Sequence, residues 1–368
     1  MSARVTGLAW STPLGTDLDE VWWALLDGEC GVRELPSPHR LRSALAAAVP
    51  APPLDESPAR RQVALAERTL AAAFADARLD ADDPTVRLVL GTSYGGDLDD
   101  PDTVSLHRWA REVAKRVGHP HEPVTVTTAC SAGADAVLVG AHLIATGWCE
   151  VAVCGGVDVI TAAKRLGHSA LGTMSPSGLR AFDDEHDGMV LGEGAAFLVL
   201  ERTDREKPAY AMLSGAGSAN DAATLTGPDT SGASVALAVR RALLHSGLTV
   251  ADIAVVSAHG SGTPLNDETE AVCLSGLFAD SSPVVFATKG ALGHSLGATG
   301  AIEAITVILA LRDGVVPPVA GLRSPMAALA AMLPGEDARG FVGSAGISLT
   351  LGFGGFDTCL LFTREPHP

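Results

Sequence analysis

Hydrophobic and polar positions in this chain alternate between two periods. Short β-branched runs suited to a pleated strand are followed, again and again, by longer stretches with helical spacing. Residues 4–10 predict a first strand. Residues 17–26, with acids in the first turn and Gly28 past the end, predict a capped helix. Residues 59–78 have the spacing of a long amphipathic helix, 86–90 that of a strand and 106–117 that of another helix. The run 124–128 predicts a strand that stops at Cys130, where an almost uncharged, buried helix begins and ends before Gly147. Residues 150–156 and 197–201 read as buried strands. Beyond residue 210 the pattern repeats, with strands at 210–215, 253–258, 284–288 and 358–363 and helices at 234–245, 267–278 and 297–311. This alternation predicts an α/β fold of parallel sheets covered by helices on both faces. Two similar halves are expected, 1–205 and 206–368. Residues 36–58 hold six prolines and predict an irregular surface segment.

Composition narrows the function. Of the 368 residues 47% are hydrophobic and 40 are glycine, which suits a tightly packed α/β protein and not a disordered one. Twenty-six basic residues against 43 acidic ones give a net charge of −17, so nucleic acid is not an expected partner. The six cysteines are scattered, with no C-x-x-C pair and no zinc spacing. The N-terminus carries no secretory core, and charges interrupt every long apolar stretch, so a cytoplasmic protein without a membrane span is expected.

Candidate chemistry gathers where predicted strands end, the usual place for sites in open α/β folds. Cys130 stands at a strand–helix junction, where unpaired N–H groups and the positive end of the helix dipole favour a thiolate nucleophile. His259 follows a strand and opens the bend His259-Gly260-Ser261-Gly262-Thr263-Pro264. Lys289 follows another strand and opens Lys289-Gly290-Ala291-Leu292-Gly293-His294. A thiol and two histidines in glycine-rich bends, where backbone amides can approach a substrate, form a coherent constellation.

These residues resemble the ketosynthase family of thiolase-fold condensing enzymes, of the β-ketoacyl-acyl-carrier-protein synthase II type. The likeness runs nearly end to end. It includes Thr128-Ala129-Cys130, Gly155-Gly156, Phe182-Asp183, Asp187 to Ala195, His259 to Asp267 with Glu270, Thr288-Lys289, Gly293-His294 with Gly300 and Glu303, and Gly352-Phe353-Gly354-Gly355. The resemblance implies a layered αβαβα thiolase fold of two related halves, assembled as a homodimer or a ketosynthase-type heterodimer. It implies that Cys130 is acylated from a phosphopantetheine thioester on an acyl carrier protein. His259 and His294 would then hold the malonyl thioester oxygen during decarboxylation. Lys289 would organise charge behind the histidines, with Glu270 as its partner. Ser261 and Thr263 match hydroxyls that contact the phosphopantetheine arm. Phe353 matches a gate, and its N–H with that of Cys130 would form the oxyanion site. No metal or redox cofactor is implied.

Asp183-x-Glu185-x-Asp187-Gly188 mimics the start of a calcium loop, but the twelfth position is Gly194, so a structural turn is expected. Other stretches depart from the family. Residues 95–123 and 167–181 are short, Leu349-Thr350-Leu351 replaces Asn-Ser-Phe, and Phe356-Asp357 stands where a small or polar residue and Asn are usual. The departures point to specialised biosynthesis. They leave open an acyltransferase or cyclase using the same cysteine, or a non-catalytic partner subunit like a chain-length factor. Because carrier proteins are acidic, docking is expected at a local basic pair: Arg60-Arg61, Lys115-Arg116, Lys164-Arg165 or Arg240-Arg241.

Overall fold

The computed structural model describes residues 2–54, 56–99, 105–204 and 207–365. The expected boundary at 205/206 and part of the short stretch 95–123 lie outside the described residues. The first half of the chain supplies β1 (Ala3–Ser11), β2 (Val86–Gly91), β3 (Val124–Val126), β4 (Val151–Asp158) and β5 (Gly194–Glu201). The second supplies β6 (Ala211–Asn220), β7 (Ile253–Ser257), β8 (Val284–Phe286), β9 (Ala345–Gly352) and β10 (Phe356–Thr363). These ten strands join in the order β8-β7-β9-β10-β6-β1-β5-β4-β2-β3. Counted outward from the centre, each half places its first, fifth, fourth, second and third strand in the same succession. The two runs meet where Ala3 and Val5 face Leu213 and Ala211.

The sheet is mixed, not parallel as expected. β2 is parallel to β3 and β4, and β7 to β8 and β9, but the last strand of each half, β5 or β10, runs antiparallel to both of its neighbours in that half. Helices α4 (Ala132–Ala145) and α9 (Thr299–Asp313) pack on each other between the strands of the two halves. α9 is buried from Thr299 to Leu311, which is why its sequence is apolar all round. Outside them, α2 (Pro58–Asp76) covers β1 and β5, and α6 (Ala233–Ser246) covers β6 and β10. The result is the layered thiolase arrangement. No helix among the described residues is long and apolar enough to cross a membrane.

Three local readings change. The strand expected at 124–128 ends at Val126, because the chain turns there toward Cys130. Helix α5 (Ala162–Ala170) and strand β9 were not signalled, since Lys164, Arg165 and His168 break the apolar pattern of one and Gly346 and Ser348 that of the other. The proline-rich segment is not all surface. Leu45–Ala47 pairs with Leu191–Gly192, and Ala46, Ala47 and Val49 are buried.

Glu193 explains that burial. Its carboxylate is fully buried, accepts the N–H groups of Val49 and Ile160 at 3.0 Å each, and pairs with the buried Arg61 guanidinium of α2. One side chain thus ties the proline segment, the end of β4 and α2 together. Removing one member of a buried ion pair leaves the other uncompensated, at a cost of about 3–5 kcal/mol. Glu193→Ala is expected to lower the urea midpoint by that amount of stability, and an unchanged midpoint would show that this junction does not hold the fold.

Candidate active site

Cys130 sits in a short 3₁₀ turn, Ala129–Ser131, between edge strand β3 and helix α4. Ala129 takes φ +51°, a left-handed conformation unusual for a residue with a Cβ, which reverses the chain at once. Asp135 on α4 pins the turn by accepting the Thr128 and Ser131 hydroxyls at 2.5 and 2.7 Å and the Thr358 hydroxyl from β10. Across the interface α4 meets the loop that carries His294. A Cβ at Gly156 would lie 2.3 Å from the Gly297 carbonyl oxygen, and one at Gly133 2.7 Å from the same atom, so only glycines allow this approach. Asp158 closes the junction by accepting the N–H groups of Ser93 and Gly297 at 2.8 and 2.9 Å and pairing with the buried Lys164.

His259, Lys289 and His294 are brought together from the ends of β7 and β8 and are all buried. The imidazole rings meet edge to face, with centroids 5.1 Å apart. Lys289 Nζ lies 3.3 Å from His259 Nδ1 and also donates to the His259 carbonyl and to Glu303. An ammonium has three donors and no acceptor, so these contacts use all three and make Nδ1 the acceptor. His294 Nδ1 likewise accepts the Leu296 N–H at 3.3 Å, with the Thr299 hydroxyl at 3.1 Å. Burial, and then the charge of Lys289, hold both histidines well below the ordinary value, so both are neutral. A neutral ring that accepts at Nδ1 carries its proton on Nε2. Each histidine therefore has one Nε2–H donor.

The expected partnership of Lys289 with Glu270 is corrected. Glu270 accepts the N–H groups of His259 and Gly260 at 2.7 and 2.6 Å and the Asn266 amide at 2.8 Å, so it shapes the histidine bend. The ion pair of Lys289 is with Glu303 on α9. The signal for Glu303 was the one carboxylate in the buried run Thr299 to Leu311. Burial pushes Glu303 up to about 8 and Glu270 to about 7, with Lys289 opposing both.

Cys130, His259, Ser261, Thr263, His294 and Phe353 line one cleft of about 320 Å³, while Lys289 and Glu270 lie behind it. The Ser261 and Thr263 hydroxyls are 2.8 Å apart on one wall. Phe353 lies in the turn between β9 and β10, and its backbone N–H faces the Cys130 sulfur, where it favours the thiolate form. The thiol itself departs from expectation. Burial pushes Cys130 up to about 12, outweighing Lys289 and the Phe353 N–H, so the resting group is a thiol and not a thiolate. Asp183 spends its oxygens on the N–H groups of Glu185, Arg323 and Ser324, and Asp187 accepts the hydroxyls of Ser175 and Ser177, so the calcium-like stretch is a hydrogen-bonded turn.

Asp357, also on the cleft wall, is 3% exposed, and one of its carboxylate oxygens has no hydrogen-bond partner. Burial, with Asp221 and Asp229 adding to it, pushes the carboxyl up to about 7. A carboxyl raised on folding holds its proton more tightly in the native state, so its contribution is full below about pH 4 and is lost as pH rises through about 7. Asp357→Asn is expected to match the wild type in urea stability below about pH 4, to gain on it progressively as pH rises from about 4 to about 7, and to exceed it by roughly 1–3 kcal/mol at pH 8. A difference independent of pH would contradict this.

Comparison with known proteins agrees with the geometry. The family model of the β-ketoacyl synthase N-terminal domain matches residues 3–206, and that of the C-terminal domain matches residues 210–323. The chain is 32% identical over 405 aligned positions to 3-oxoacyl-[acyl-carrier-protein] synthase 2 of Mycobacterium tuberculosis, covering 98% of this chain and 96% of that one. The Mycobacterium leprae protein of the same name is 31% identical over 360 positions, covering 86% of each. Among solved structures, the ishigamide ketosynthase/chain length factor superposes with a TM-score of 0.91 at 28% identity, covering 99% of each chain. A β-ketoacyl synthase from Burkholderia phymatum does so at 0.88, with the same identity and coverage. The chain belongs to the β-ketoacyl synthase family of condensing enzymes.

Proposed function

We propose that the protein forms a carbon–carbon bond by decarboxylative Claisen condensation between an acyl group on Cys130 and a malonyl-type thioester on an acyl carrier protein. The observation that supports this best is the pair of neutral Nε2–H donors, His259 and His294, in one cleft with the cysteine. Cys130 Sγ attacks the acyl thioester carbonyl, and the thiol proton leaves with the phosphopantetheine sulfur. The N–H groups of Cys130 and Phe353 hold the oxyanion. The malonyl thioester then binds with its carbonyl oxygen on the two histidines. Loss of CO₂ leaves the bond's electron pair as an enolate, which those donors stabilise. The enolate carbon attacks the acyl–Cys130 carbonyl, the C–S bond breaks with its electron pair on Cys130 Sγ, which takes a proton from water, and the β-ketoacyl product departs on its carrier. Neutral donors suit this chemistry, since an imidazolium would protonate the enolate. Ser261 and Thr263 are read as contacts for the phosphopantetheine arm, and Lys289 as the group that fixes the His259 tautomer. The enzyme is read as cytoplasmic, in polyketide or fatty-acid-like biosynthesis.

Docking of an acidic carrier needs a basic surface on this acidic protein. Of the expected pairs, Arg61 and Lys164 are spent on buried carboxylates, and Arg165 donates to the carbonyls of Leu35, Pro36 and Ala44. Two expected pairs stay on the surface: Arg240-Arg241 on α6, where Arg241 donates to the Ser218 carbonyl, and Lys115-Arg116, which belongs to a groove of about 670 Å³ between α2 and α3 (Arg108–Arg116). Arg60, Arg108, Arg111, Lys115 and Arg116 line this groove; Arg111 pairs with Glu122 and Arg116 with Glu67 and Glu112, so Arg60 and Lys115 are the charges to test. We infer that the carrier docks there.

Intact-mass spectrometry tests the chemistry. An acyl-carrier donor is expected to label wild-type protein but not Cys130→Ala, and malonyl-carrier should then discharge the label as a two-carbon-longer β-ketoacyl carrier. His259→Ala and His294→Ala should still take the label but elongate about 100-fold more slowly, the usual loss for one oxyanion donor. A label that malonyl-carrier cannot discharge would favour the acyltransferase or cyclase reading, and no label with any donor the partner-subunit reading. For docking, Arg60→Glu with Lys115→Glu is expected to weaken carrier binding about tenfold and flatten its salt dependence. Unchanged affinity would move the docking surface elsewhere.

A further inference from the structure

A third histidine reaches the site from a helix that no motif marked. His168 lies in the last turn of α5, one turn beyond Lys164, whose ammonium is held by Asp158 at the glycine junction. Its ring meets that of Phe353 with centroids 5.8 Å apart and planes tilted by 34°, within the range of favourable aromatic pairs. The ring is fixed from behind. The Thr173 hydroxyl donates to the His168 carbonyl at 3.2 Å, which leaves its oxygen to accept from His168 Nδ1 at 3.0 Å. Thr173 lines the same cleft as Cys130. Burial, followed by the charge of Lys164, holds His168 down at about 4, so the ring is uncharged at neutral pH. Phe353 itself sits in a turn of glycines, Gly352 to Gly355, two of them at positive φ. Gly354 and Gly355 are tied by hydrogen bonds to Leu225, Asn220, Asp221 and Gly352, so within the turn it is the Phe353 ring and its own peptide whose position is left to the contacts of the side chain.

We propose that His168 is a positioning residue for this gate, holding the Phe353 ring so that the Phe353 N–H stays on the Cys130 sulfur. The link runs from a rigid helix through two rings to one backbone donor. It deepens the acyl-transfer reading above and rests on it. When the ring is held, the oxyanion donor is in place and water is kept from the acyl group. When it is loose, the acyl–Cys130 thioester waits in a more open cleft and more of it is lost to hydrolysis. That loss attaches water oxygen to the acyl carbon and returns the proton to Cys130.

The measurement is the partition of preformed acyl–Cys130 between malonyl-carrier and water, followed by intact mass and product analysis. In His168→Ala the ratio of hydrolysis to condensation should rise about 2- to 10-fold, the size of one aromatic pair. His168→Phe, which keeps a ring but no ring nitrogen, should restore the wild-type ratio. Phe353→Leu should raise the ratio on its own. Adding His168→Ala to it should change little further, because both break one contact. An unchanged ratio in His168→Ala, a His168→Phe ratio like that of His168→Ala, or full additivity with Phe353→Leu would each overturn the proposal. If His168→Ala does not fold, His168→Leu, which keeps volume but no ring, takes its place in every arm. Wild-type protein that takes no acyl label would instead overturn the condensation reading beneath it, an outcome distinct from a labelled enzyme whose partition ignores His168.

Discussion

Lys289 is 1% exposed, and its ammonium must find three acceptors where no water reaches. It finds the His259 carbonyl, His259 Nδ1 and Glu303, and much of the site follows from that choice. A buried cation without such partners would cost several kcal/mol. With them, it forbids a proton on the facing nitrogen of His259 and disfavours charge on either histidine. Two imidazoles with ordinary values near 6.5 become fixed hydrogen-bond donors across the working pH range. In the proposed condensation the lysine would act through the histidines and not as a nucleophile.

The fold supplies that chemistry from equivalent places in its two halves. Cys130 follows the third strand of the first half, and Lys289 follows the third strand of the second. The helices that continue from these loops, α4 and α9, are the two at the centre of the molecule, and the Gly133–Gly156–Gly297 contact brings their starts together. Cys130 arrives on the first and His294 on the second. Asp135 and Asp158, one on each side, convert this contact of backbones into hydrogen-bonded fixtures. A side chain at Gly133 or Gly156 would push the Gly297 carbonyl, and with it the His294 loop, away from Cys130.

Much of this was legible in the residues themselves. Cys130, His259 and His294 each follow a strand run and precede small residues, a local pattern that periodicity and glycine placement reveal. The order of strands and helices could be read for the same reason. What could not be read depends on distance across the fold. Glu270 and Glu303 both stand on helices after the histidine motifs, and only packing shows which one meets Lys289. The thiol at a helix start suggests a lowered value by local rules, yet burial by distant residues reverses it. The antiparallel return of β5 and β10 leaves no trace in hydrophobic period, since a strand reads the same in either direction. His168 was hidden because α5 mixes Lys, Arg and His on its inner face.

The central claim is that both histidines stand neutral, protonated at Nε2, before any substrate arrives. Nitrogen-15 NMR of histidine-labelled protein measures this directly, with His259→Gln and His294→Gln assigning the signals. The account predicts that both rings show the Nε2–H tautomer from pH 5.5 to 8 with no titration. Either ring titrating near 6.5, or carrying its proton on Nδ1, would contradict it.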